Sequence, residues 1–144
     1  MGLIRLGNKP PLTVGPQDTV AQAARAMTQR GVGAAAVVEG NKVLGVVTER
    51  DMLQKVVANE HDATRIRVRE IMTSPPLTIH LKTTVDDAAT MMRKHHIRHL
   101  IVLDDNEALV GMLAQRYVLY DLMDDLKRDA GDLLGYIMAD GPGG

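Results

Sequence analysis

Apolar residues in this chain fall into two runs with helical spacing and four with strand spacing, and the order of these runs occurs twice. Val20, Ala23, Ala24 and Met27 follow i, i+3, i+4, i+7, and Val85, Ala88, Ala89 and Met92 do the same. That spacing gathers them on one face of an amphipathic helix. Each run begins behind a threonine. Thr19-Val20-Ala21-Gln22 has a capping-box pattern and Thr84-Val85-Asp86-Asp87 answers it, so a hydroxyl is available to a free backbone N–H at both helix starts. Gly31 stands where a helix ends in a left-handed residue. Two short apolar runs follow each helix. Ala35–Val38 and Val43–Val47 flank the turn Glu39-Gly40-Asn41-Lys42; Leu100–Leu103 and Leu109–Leu113 flank Asp104-Asp105-Asn106-Glu107-Ala108. They read as paired strands.

The pattern is an internal repeat. Pro11-Leu12-Thr13-Val14 returns as Pro76-Leu77-Thr78-Ile79, an offset of 65 (78 − 13). The second turn is one residue longer, so Gly45 matches Gly111 at an offset of 66 (111 − 45). Each copy is strand–helix–strand–strand–helix, a unit too small to bury a good core alone. The fold expected is α/β (α+β), with two pseudo-symmetric β-α-β-β-α units packed through their sheets. The first unit covers residues 10–58 and the second 75–126. Residues 59–74 form a linker: a polar loop at Asn59–Ala63, then one helical turn at Val68–Met72 before Thr73-Ser74-Pro75-Pro76. Residues 127–144 are expected to finish an amphipathic C-terminal helix weakened by Gly131 and Gly135, and to end in a disordered tail.

The stretch Gly45-Val46-Val47-Thr48-Glu49-Arg50-Asp51 runs from a buried strand into a helix whose apolar residues are Met52, Leu53, Val56 and Val57. Thr48 sits at the N-cap, and Asp51, three residues on, shares its face. Two readings fit. Thr-x-x-Asp is close to a capping box, which requires no ligand. Equally, a hydroxyl and free N–H groups at a positive helix end favour an anion, and a neighbouring carboxylate accepts hydrogen bonds from a diol such as ribose. Phosphate beside ribose is a nucleotide.

Composition narrows the field. Net charge is −1, which leaves no basic footprint for nucleic acid or an anionic membrane. There is no Cys, hence no disulfide or thiol nucleophile, as suits a reducing compartment. Aromatics are 2%, so the core must be built from aliphatic residues and Met. No stretch has the ~20 apolar residues of a membrane span, and Met1–Pro11 holds no run of signal-peptide length. A cytoplasmic location is expected.

Two copies of the unit, the linker Ile71-Met72-Thr73 and the Gly45–Asp51 signature together resemble a pair of CBS domains, or Bateman module, over about residues 10 to 126. The resemblance implies a regulatory module with no chemistry of its own. It implies an adenine nucleotide, AMP foremost, or another adenosyl ligand such as NAD or S-adenosylmethionine, in the cleft between the repeats. It also implies a homodimer formed through the closing helices, and a regulated enzyme or transporter as partner. By resemblance Asp51 would hold the ribose hydroxyls and Thr48, with Val47 before it, would sit near ribose and phosphate. Arg98 and Arg116 would hold phosphate, whose oxygens suit the forked donors of Arg; solvated surface charge is the ordinary alternative for both. Met72, Thr73 and Leu77 would line the adenine. The second signature departs from the family, with Ala114 in place of the hydroxyl residue and Tyr117 in place of the Asp. Gly33 likewise stands where a basic residue would begin the middle strand. The second cleft is therefore expected to be empty, weak or altered in ligand. A structural pairing module with a decayed site remains the alternative function.

Other constellations carry less. His95 and His99 have chelating spacing for one helix face, but the segment runs from helix into strand and includes Arg98, so no metal is expected. No nucleophile–base grouping and no GxGxxG or Walker sequence is present.

Overall fold

The computed structural model describes residues 10–130. The order is β1 (Thr13–Val14), α1 (Val20–Arg30), β2 (Ala34–Glu39), β3 (Lys42–Thr48) and α2 (Glu49–Met52), which passes into a π-helical segment (Leu53–Val57). Then come α3 (Val68–Ile71), β4 (Thr78–His80), α4 (Val85–His95), β5 (His99–Leu103), β6 (Leu109–Ala114) and α5 (Gln115–Ala130). The caps form as the sequence implies. The Thr19 and Thr84 hydroxyls accept from the backbone N–H of Gln22 and Asp87, and Gly31 ends α1 at φ 65°. His96, not a glycine, takes the same left-handed place after α4.

Each half forms a three-stranded sheet, β1-β2-β3 and β4-β5-β6, with the first pair parallel and the second antiparallel. The strand period then sorts residues between three cores. Ala35, Val37 and Val47 face α1 and the first half's own core, while Leu100, Val102 and Leu113 do so in the second half. The alternate residues, Ala34, Ala36 and Val46 with Ile101, Leu103 and Met112, meet between the sheets. The two units do pack through their sheets, and small side chains at 34 and 36 let those sheets approach closely.

The linker is tied to the first unit at two places. Ile66 and Ala63 carbonyls accept from the N–H groups of Val20 and Ala21, filling the start of α1. Thr73 pairs with Val46, N to O at 2.9 Å and O to N at 3.0 Å, and so extends the β3 edge.

One expectation about helices changes. The stripe after Thr48 does not form as one face. The segment Leu53–Val57 bonds with i→i+5 spacing, Ala58 N to Leu53 O and His61 N to Val56 O, which turns successive residues less far round the axis. Val56 and Met52 go inward, while Leu53 and Val57 are 61% and 64% exposed. The closing helix of the second unit, α5, continues past residue 126 to Ala130. The rest of the expected tail, 131–144, lies outside the described residues.

Candidate functional site

The end of β3 and the start of α2 build the first wall of the site. Thr48 caps α2 with extended backbone, φ −123° and ψ 162°. Its hydroxyl accepts from Asp51 N at 3.1 Å and donates to Asp51 Oδ2 at 3.0 Å; Thr48 N donates to the same oxygen at 3.0 Å. The other oxygen, Oδ1, lies 3.2 Å from Lys55 Nζ, which also donates to Ile71 O at 2.8 Å. The capping box is therefore present. It also fixes the carboxylate: Asp51 is 8% exposed, and it lines a cleft of about 740 Å³. A carboxylate has room for about four hydrogen bonds, so three such partners leave it some capacity to accept from a ligand.

The opposite wall comes from the second half. Ile97, Arg98 and His99 at the start of β5 face the cleft, and Thr73, Pro76 and Leu77 close one end. Five residues expected from the sequence thus meet around one cavity: Thr48, Asp51, Thr73, Leu77 and Arg98. Three do not line it. Val47 is wholly buried in the first core, because the strand period turns it away from the cleft. Met72 packs against that core and over Gly45. Arg116 lies in a second cleft of about 650 Å³, on the far side of the pseudo-symmetry, with its guanidinium 5.1 Å from the centre of the Tyr117 ring. The reason is connectivity. Arg116 follows β6 as Arg50 follows β3, so Arg50 is its counterpart in the Thr48 cleft, and Arg50 does line that cleft.

Sequence reasoning gave Glu49 no role, weighed His99 only as a metal ligand and placed Gly33 only as a missing basic residue; all three line both clefts. The register Ala34↔Thr48 puts the start of β2 beside the start of α2, which is the signal that would have found them. Burial pulls the His99 imidazole below the ordinary histidine value; Glu49 acts upward, while Arg116 and Arg98 act downward. His95 ends α4 and His99 begins β5, so they share no helical face. Among the described residues no group of His, Cys, Asp and Glu could hold a metal ion, and no helix is long and apolar enough to cross a membrane.

The second cleft repeats this geometry with different chemistry. Pro11 and Leu12 stand for Pro76 and Leu77, while Ala114 and Tyr117 replace Thr48 and Asp51. Neither replacement supplies a carboxylate for a diol.

Two β-α-β-β-α units joined through their sheets, with a cleft on each side of the joint, define a paired α/β fold with two candidate ligand clefts. The CBS domain family model matches residues 5–58 and 68–124, and the chain belongs to the CBS domain family. Among solved structures, a protein with CBS domains from Burkholderia ambifaria is 33% identical, with a TM-score of 0.76, covering 83% of this chain and 86% of its own. A CBS domain protein from Pyrobaculum aerophilum complexed with AMP is 30% identical, with a TM-score of 0.73, covering 81% and 94%. Inosine-5'-monophosphate dehydrogenase of Korarchaeum cryptofilum is 32% identical over 109 residues, 76% of this chain and 22% of the enzyme. The chain spans 56%, 22% and 37% of the lengths of three curated relatives that it matches.

Proposed function

We propose that this CBS pair is a regulatory module that senses an adenine nucleotide, of which AMP is the first candidate, in the cleft beside Thr48 and Asp51. The observation that carries this reading is the convergence of Asp51, Thr48 and Arg98 with the apolar end at Leu77 in one cavity. Asp51 accepts from the ribose hydroxyls, Arg98 pairs with phosphate, and Thr73 and Leu77 contact the base. The AMP complex of the Pyrobaculum protein supports this choice of ligand class. NAD and S-adenosylmethionine share the adenosine part and are the competing ligands.

Sensing requires that the ligand favour one of two conformations. Residues from both halves wall the cleft, so a ligand bridging them biases their relative position. A homodimer is the proposed receiver, formed through the outward apolar residues of the π-helical segment and α5. A regulated enzyme or transporter is the proposed partner beyond it, supported by the match to a dehydrogenase.

A pairing module with a decayed site is favoured only by the second cleft, where Ala114 and Tyr117 stand in place of the anchors. Thermal melting with AMP, ADP, ATP, NAD and S-adenosylmethionine separates the two, because a ligand bound at 100 times its Kd adds about 2.7 kcal/mol to the native state. Calorimetric titration should then give one site per chain. No shift with any of the five leaves the pairing module.

A further inference from the structure

The two clefts meet at a junction that Gly33, Glu49, Arg98 and His99 line from both sides. The backbone there is the same in both halves. Glu49 N donates to Gly33 O at 3.0 Å, and Gln115 N donates to Arg98 O at 2.8 Å. Gly33 and Arg98 are therefore counterparts, as are Glu49 and Gln115. Their charges are not equivalent. One half presents a guanidinium and a neutral amide; the other presents no side chain and a carboxylate. Glu49 uses the room left by the glycine. A Cβ on Gly33 would lie 3.0 Å from Glu49 Oε1 and 3.2 Å from its Cδ.

We propose that Glu49 is a specificity-determining residue, disfavouring ligands whose anionic tail carries more than one phosphate. This rests on the reading that the Thr48–Asp51 cleft takes an adenine nucleotide. Among the described residues Arg98 is the arginine that borders both clefts, so it meets the first phosphate and marks the way on. Further phosphates extend past it into the junction, where Glu49 is the acid lining both sides among the described residues. The other arginines at the clefts border one cleft each. Arg50 borders the first cleft, and Arg116 and Arg30 border the second; Arg30 already donates to Pro10 O at 2.5 Å. Like charges a few ångströms apart at a protein surface repel, and salt reduces this. A discrimination on the order of tenfold between mono- and triphosphate follows.

The experiment is calorimetric titration of AMP and ATP in EDTA at fixed ionic strength, with the wild-type chain, Glu49→Gln and Glu39→Gln. Glu39 is an exposed residue at the far end of β2 and serves as the control. The wild type should bind AMP more tightly than ATP. Glu49→Gln should lower the ratio of the ATP Kd to the AMP Kd about tenfold, and Glu39→Gln should leave the ratio where it was. ATP binding as tightly as AMP to the wild type overturns the proposal. So does a ratio that Glu49→Gln changes less than about threefold, or one that both variants change alike. If neither nucleotide binds the wild type, the nucleotide reading itself fails and this inference falls with it.

Discussion

A β-carbon on Gly45 would stand 2.5 Å from the carbonyl oxygen of Thr73. The glycine is required because the linker pairs with β3 at Val46, directly beside it, and Met72 covers the same spot, with its sulfur 3.1 Å from the same point. Backbone, unlike a flexible side chain, has little room to give.

Gly45→Ala is therefore expected to destabilise the protein by about 1–3 kcal/mol, the usual cost of forcing atoms into a packed region. Thermal melting measures this directly. Thr73 and Leu77 belong to the strip displaced, so nucleotide binding should weaken in the same variant. A melting point equal to wild type would mean that the linker does not hold to the β3 edge in solution.

Asp51→Ala separates the two roles of that carboxylate. Loss of a hydrogen bond to a charged group is worth ~1.5–3 kcal/mol, so AMP affinity should fall about 10- to 100-fold. Loss of the cap should cost about 1 kcal/mol of stability. Since Lys55 also loses its partner, Asp51→Asn is the milder comparison and should keep most of the stability. Normal affinity with a lowered melting point would leave Asp51 a capping residue only.

His99 predicts a pH dependence. Its native imidazole resists protonation because it is partly buried. The unfolded chain takes up the proton near the ordinary value of 6.5. Below that pH the unfolded state binds more protons than the native state, so stability falls on acidification until the lower native value is reached. Urea denaturation between pH 8 and 5 should show a steeper loss below 6.5 for the wild type than for His99→Gln. Parallel curves would show that His99 is as easily protonated in the folded protein as in the unfolded one.

The outward faces of the π-helical segment and α5 predict self-association. Leu119, Tyr120 and Leu126 are 49%, 57% and 57% exposed, alongside Leu53 and Val57. A two-fold contact uses each patch twice, so a few such residues can stabilise it. Light scattering at micromolar concentration should report a dimer for the wild type. Leu119→Asp with Leu126→Asp should give a monomer that melts cooperatively. A monomeric wild type would show that these faces are not joined by a second copy.

The repeat, the four longer strands, the two amphipathic helices and their caps were legible in the chain because each depends on neighbours within a few residues. Periods of 2 and 3.6 are set by backbone geometry, so Val37 and Met27 announce their faces without knowledge of the fold. The sidedness of the candidate site was legible too, since Thr48 and Asp51 on one side and Ala114 and Tyr117 on the other lie in matched positions of the repeat. The tertiary structure decided what depends on distance along the chain. It put Arg116 in the second cleft and Arg50 in the first, because a residue after a strand stays with that strand when two sheets pack face to face. It let Glu49 fill the space above Gly33, a meeting that the β2–β3 register creates across 16 residues (49 − 33). It also left Leu53 and Val57 exposed while Val56 went inward, because which part of an i, i+1, i+4, i+5 stripe meets the core depends on what packs against it.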